Sequence, residues 1–229
     1  MITNFLRQRL KTLIPPKYLE MILRRRAINK MHKYGVEAFH AIDRVLTECH
    51  CPYWLEFGTL LGAYRDHAFI RHDTDIDLGI ELKSFSLEIL DRMKKEGFEI
   101  HTPKVFSDNG RCYVFGGKYK GIVIDIHVCD IDDFYLTSYE SRPLTNCSWK
   151  ESAELGKNLI YELKYPYEGF KTIEFYDRKV LIPVNAGVHL SMLYGSNYMI
   201  PIEGDFSQGQ QNSYGRLIPE DERVGIFYK

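Results

Sequence analysis

Asp75 and Asp77, separated by one residue in Asp75-Ile76-Asp77-Leu78-Gly79-Ile80, have a spacing that suggests chemistry. The segment alternates polar and apolar positions, so a strand is expected, with both carboxylates on one face about 7 Å apart. Like charges so close repel each other unless a cation compensates them. Hard carboxylate oxygens suit Mg²⁺ or Mn²⁺, and these ions in turn bind phosphate oxygens. A third carboxylate on a neighbouring strand would complete such a site. Asp125 meets that need: it is an ionisable residue amid the aliphatic positions of Ile122-Val123-Ile124-Asp125-Ile126-His127-Val128. A charge there has no purely structural reason to exist.

Phe57-Gly58-Thr59 precedes the first of these acids, with Gly58 seventeen residues before Asp75. The order strand, Gly58, Thr59, helix would aim backbone N–H groups and the Thr59 hydroxyl at a phosphate. Arg65, one or two helical turns along, could neutralise a diphosphate. His127 shares the strand face of Asp125; it either reaches the site or is a buried, hydrogen-bonded histidine. His72 and Asp73 lie beside the acids in sequence as candidate substrate contacts, with an exposed loop position the alternative for His72. Trp54 reads as a core residue rather than a platform for a base.

These residues need elements to position them. Residues 2–14 carry apolar residues at helical spacing with Arg7, Arg9 and Lys11 between them, and Pro15-Pro16 ends the segment. A second basic helix is expected over residues 17–33 and a third from Val36 to about His50. Tyr53 to Phe57 reads as a short strand, Thr59 as the cap of a helix from Leu60 to about Asp66, and Ser84 to Glu96 as a helix stopped by Gly97. Residues 98–102, 112–119 and 121–129 are strand candidates. Past residue 134 the pattern weakens: a helix near 150–164, a strand pair around 170–182, a helix at 185–194 and a polar loop at 207–213. The expected fold is α/β (α+β), a mixed sheet flanked by helices with an N-terminal helical extension. Residues 1–34 would form a basic helical arm and 35–229 the catalytic domain.

The 229 residues, 45% hydrophobic and 27% charged, suffice for a core without staples. The net charge of −1 conceals an asymmetry. Residues 1–33 hold nine of the 30 basic residues and one of the 31 acidic ones, leaving 21 basic against 30 acidic for the rest. A basic arm on an acidic body suggests an anionic partner, and its helices either dock on the domain or lie at an anionic membrane surface. No nucleic-acid partner is expected. The five cysteines form no paired ligand knuckle, and no stretch approaches the roughly 20 apolar residues that cross a bilayer. The expected location is cytoplasmic, with peripheral contact at the inner face of the membrane through residues 1–33.

Phe57-Gly58-Thr59-Leu60-Leu61-Gly62-Ala63-Tyr64-Arg65, then Phe69-Ile70 and Asp73-Thr74-Asp75-Ile76-Asp77, resembles the signature of the LicD/fukutin family, which runs GTLLGAxR, a short gap, then FIPWDDDID. Ile182-Pro183 and Tyr194-Gly195-Ser196-Asn197-Tyr198-Met199-Ile200-Pro201 are similar to that family's iP…YGxxYMxP tail, so the likeness frames about residues 36–201. The resemblance implies a nucleotidyltransferase-type fold. It also implies a phosphotransferase that moves a phospho-alcohol from a CDP-activated alcohol donor, such as CDP-choline or CDP-ribitol, to a hydroxyl of a glycan or its lipid-linked precursor. On this likeness Asp75 and Asp77 are metal carboxylates, Asp125 the third, and Gly58, Thr59 and Arg65 the donor-phosphate contacts. Arg71-His72 stand where the family has Pro-Trp, and Thr74 replaces the middle acid of the triplet. The zinc-binding insertion of animal members has no identifiable counterpart. Two rivals remain: nucleotidyl transfer from an NTP to a small molecule or protein, which the same three acids would serve, and a non-catalytic scaffold in polysaccharide assembly that uses the basic arm.

Overall fold

Alternation along two strands decides which side of the sheet is dry. A computed structural model describes residues 15–100, 105–106, 111–155, 158–201 and 216–217. The chain runs α1 (Pro16–Glu48), β1 (Tyr53–Leu55), α2 (Phe57–Arg65), β2 (Asp75–Glu81), α3 (Leu87–Lys95), β3 (Glu99–Ile100), β4 (Val105–Phe106), β5 (Cys112–Tyr119), β6 (Ile122–Ile131) and β7 (Tyr135–Arg142). It continues with α4 (Trp149–Leu155), β8 (Leu159–Pro166), β9 (Phe170–Phe175), β10 (Arg178–Pro183), α5 (Ala186–Tyr194) and β11 (Arg216–Leu217). Ile76, Leu78 and Ile80 on β2 and Ile122, Ile124, Ile126 and Val128 on β6 are completely buried. They join one core with Phe39, Ile42 and Leu46 of α1 and Ile89, Leu90 and Met93 of α3. Burying each such side chain contributes about 1.5–3 kcal/mol relative to exposure. The odd-numbered residues of β2 and β6 therefore face away from α1 and α3, and that face carries the acids.

The expected mixed sheet flanked by helices is present. β2 pairs in parallel with β6, and β1 lies antiparallel to β2 and parallel to β10. β5 returns antiparallel to β6 through Lys120 and Gly121, whose φ values of 50° and 81° are both left-handed. A two-residue hairpin turn of that hand requires this backbone, and glycine adopts it without strain. The last residues of β6 leave β2 and pair with β7, which continues into β8 and β11.

Three elements differ from the expectation. The two helices expected at 17–33 and from 36 are one continuous α1, with no break at residue 34. Gly35 is tolerated inside it because the Met31 sulfur lies 2.9 Å from where a Cβ would stand. The helix expected to 164 stops at Leu155, and Leu159–Pro166 is β8, paired along its length with β7. β7 escaped the sequence reading because Thr137 and Ser138 are buried on it, which masks any apolar alternation. The helix expected at 2–14 and the polar loop at 207–213 lie outside the described residues.

Candidate active site

Parallel pairing of β2 with β6 sets Asp77 directly across from Asp125, and Asp75 across from Val123. One ligand oxygen from each of Asp75, Asp77 and Asp125 lies within 4.8 Å of the others. The β1–α2 turn is joined to this strand at Asp77. The Glu56 N–H donates to the Asp77 carbonyl at 3.1 Å, and the Asp77 N–H donates to Thr59 Oγ1 at 2.9 Å. Thr59 thus sits inside α2, fully buried, and its hydroxyl serves the β2 backbone rather than capping a helix. The helix starts at Phe57 with Glu56 at the cap position, and its first intrahelical bond is Leu60 N–H to Glu56 O. The amides of Phe57, Gly58 and Thr59 precede that bond, where helix N–H groups lack intrahelical partners and attract anions.

Phe57 has a φ of 44°, a conformation that costs a non-glycine residue about 1–3 kcal/mol and that recurs at functional turns. Its ring packs on that of His127 at 4.6 Å. At Gly58 an added Cβ would lie 2.9 Å from Asp73 Oδ2, so the turn and the acidic segment are in close contact.

The electrostatics are those of an acid cluster short of positive charge. Asp73 Oδ2 is buried with no hydrogen-bond partner among the described residues. Burial, then the charges of Asp75 and Asp77, push the Asp73 carboxyl up to about 9. Burial likewise raises Asp125 to about 6, against the pull of His127. His127 Nδ1 donates to the Tyr139 carbonyl at 2.8 Å, leaving Nε2 3.5 Å from Asp77 Oδ1. Burial alone would lower this imidazole, but the Asp77 carboxylate beside Nε2 holds it above the usual range. An orphaned buried carboxylate oxygen beside three converging carboxylates fits a hard divalent cation such as Mg²⁺ or Mn²⁺.

The residues singled out in the sequence are therefore mostly gathered: Gly58, Thr59, Asp73, Asp75, Asp77, Asp125 and His127. Arg65 is engaged elsewhere, donating to both oxygens of Asp66 at 2.9 and 2.7 Å and to the Tyr198 carbonyl at 3.3 Å. His72 is partly buried before Asp73 but is not among the residues whose ligand atoms converge. Tyr194 was overlooked. Its phenol is driven far up by burial, then by the charges of Asp77, Asp73 and Asp75. Its position in the tail motif was the available signal. Glu56 was missed too: it is 1% exposed and accepts from Trp54 Nε1 at 2.6 Å. Trp54 is core, as read.

A groove of about 680 Å³ opens at the other end of β2, lined by Trp54, Tyr167 and Phe170 with four carboxylates and a single lysine. That acidic lining does not suit an unaccompanied phosphate.

The raised carboxyls have a consequence in chelator. A carboxyl held above its unfolded value stabilises the fold below that value and loses the contribution as pH rises through the folded one. For Asp125 the window runs from about 4 to about 6. With EDTA present, the melting temperature of the wild type relative to Asp125→Asn should fall between pH 4.5 and pH 7.5 on this ground, by roughly 2–4 °C per kcal/mol. Parallel pH profiles for the two proteins would refute a raised Asp125 carboxyl.

A family model described as LicD/FKTN/FKRP, nucleotidyltransferase domain, matches residues 50–185. The human ribitol-5-phosphate transferase FKTN is 23% identical over 171 residues, covering 75% of this chain and 34% of that protein. The Mus musculus ribitol-5-phosphate transferase FKTN is 27% identical over the same length and shares. An uncharacterized protein of Rickettsia typhi is 39% identical over 64 residues, 27% of this chain and 21% of its own. The chain thus spans about a third of the length of the curated transferases that it matches.

Proposed function

Because the chain belongs to the LicD/FKTN/FKRP nucleotidyltransferase-domain family, we propose that it is a metal-dependent phosphotransferase, moving a phospho-alcohol from a CDP-activated donor to a hydroxyl of a cell-surface glycan or its lipid-linked precursor. Ribitol phosphate is the group named in its relatives. The observation that carries this reading is the convergence of Asp75, Asp77 and Asp125 beside the Gly58–Thr59 helix start.

On this proposal Asp75, Asp77 and Asp125 hold Mg²⁺ or Mn²⁺, with Asp73 beside them. When bound, the ion neutralises phosphate oxygens and so favours attack at phosphorus. The amides of Gly58 and Thr59 hold the nucleotide-side phosphate. Arg65 joins them on exchanging Asp66 for that phosphate. Asp125 takes the proton of the acceptor hydroxyl as its oxygen bonds to phosphorus, and the bond to CMP breaks. His127 orients Asp77, and His72 lies on the approach to the acids.

The test is to incubate the protein and Mg²⁺ with CDP-ribitol, other CDP-alcohols and NTPs, and to identify the leaving group. CMP release supports phospho-alcohol transfer. Pyrophosphate release would establish nucleotidyl transfer instead, and no turnover with no metal-dependent nucleotide binding would favour the scaffold.

We further place residues 1–34 as a basic arm and 35–229 as the catalytic domain, with the arm against the inner face of the cytoplasmic membrane. No helix among the described residues is long and apolar enough to cross a membrane. The first half of α1 exposes Tyr18, Met21, Ile22 and Leu23 next to Arg24, Arg25 and Arg26. Exposed apolar side chains interleaved with arginines suit an anionic interface, each charge contributing about 1 kcal/mol. Replacing all three arginines with glutamine should weaken binding to phosphatidylserine vesicles by roughly 10²-fold in affinity, read by sedimentation, without changing the weak binding to neutral vesicles. Unchanged sedimentation would mean that the arm is no anchor.

A further inference from the structure

Strand register lays the floor of the site out in rows. Asp77, Asp125 and Gly116 form one row across β2, β6 and β5, and Asp75, Val123 and Lys118 form the next. Side chains in one row of a sheet share a face. Lys118 therefore projects on the face of the three aspartates, one strand beyond Asp125 and on the side away from α2. Gly116 places no side chain beside Asp125, and a Cβ there would lie 1.9 Å from the Ile124 carbonyl oxygen. Burial raises the Asp125 carboxyl, and the Lys118 charge is among the influences that hold it down, as expected of near neighbours.

Two described cations, Arg65 and Arg111, are already matched. Arg65 is held by Asp66 and Arg111 by Asp130. Among the described residues Lys118 enters no ion pair, not even with Glu99, its cross-strand neighbour on β3. In an in-line displacement the leaving group and the nucleophile lie on opposite sides of the phosphorus. With the nucleotide-side phosphate at the α2 amides, the phosphoryl group that moves lies over the aspartates toward β5. That is where Lys118 points.

We propose that Lys118 contacts the transferred phosphoryl group, and so makes the site selective for a pyrophosphate-linked donor over a nucleoside monophosphate. This rests on the CDP-donor reading above. The lysine would approach the phosphate from the β5 side of the three aspartates.

The test compares CDP and CMP binding by calorimetry in Mn²⁺, for the wild type, Lys118→Met and Lys118→Arg. Lys118→Met should weaken CDP by about 10- to 100-fold, the range for one charge-assisted hydrogen bond, and leave CMP unchanged. Lys118→Arg should recover most of the loss. Circular dichroism and the Mn²⁺ affinity of each variant should match the wild type. If the wild type binds CDP but Lys118→Met weakens it less than about threefold, or weakens CMP equally, Lys118 is not the contact while the donor reading stands. If the wild type binds neither nucleotide with Mn²⁺, the donor reading falls and takes this assignment with it.

Discussion

Replacing Asp125 with asparagine should lower turnover by about 10²-fold or more, the scale of losing general-base assistance. Asparagine keeps the shape but removes both the negative charge and the proton-accepting oxygen. The fold should survive, because Asp125 lies on a strand whose opposite face holds the core, and Ile124 and Ile126 beside it stay buried. In the absence of metal the variant should be the more stable protein above pH 6, since a buried carboxylate without a partner disappears. Nearby acids supply the control. Asp130 accepts from the Tyr139 hydroxyl at 2.7 Å and pairs with Arg111 at 2.9 Å, so it is a structural acid rather than a solvated one. Asp132 Oδ1 accepts from the N–H groups of Phe134 and Tyr135, fixing the turn into β7. Asparagine at either position should change turnover by less than about tenfold, with any loss at Asp130 appearing as stability. A folded Asp125→Asn protein with near-normal turnover would remove Asp125 from the chemistry.

Chelation should have the other large effect. Calorimetry with CDP in Mg²⁺ and again in EDTA should show the affinity falling by roughly 10²- to 10³-fold or below detection. The estimate comes from repulsion between charges about 4 Å apart at an effective dielectric near 20, about 4 kcal/mol. The same carboxylates that converge within 4.8 Å would meet an unaccompanied diphosphate with their own negative charge. Asp73, pushed up to about 9 by burial and its neighbours, shows how poorly the pocket tolerates another anion. Equal CDP affinity in EDTA would defeat the metal-bridged site and would leave Asp75 and Asp77 as a structural pair.

Much of this site was legible in the chain itself. The two-residue period of Asp75–Glu81 and Ile122–Val128 assigned one face to the core and the other to the carboxylates, because a strand alternates its side chains whatever it pairs with. The glycine and threonine after a short apolar strand marked the turn into α2. Tertiary structure decided the rest. Periodicity shows that a strand has a dry face but not which strand lies beside it. The parallel pairing of Asp77 with Asp125, 48 positions apart, depends on α3 and β5 being accommodated between them. The same limit explains Thr59, whose hydroxyl was free to serve a phosphate until the β2 backbone brought the Asp77 N–H to it, and Arg65, whose charge is taken by Asp66. It explains Lys118 most directly. Its row is set by two registers, β5 on β6 and β6 on β2, and a one-residue slip in either would turn it to the opposite face of the sheet.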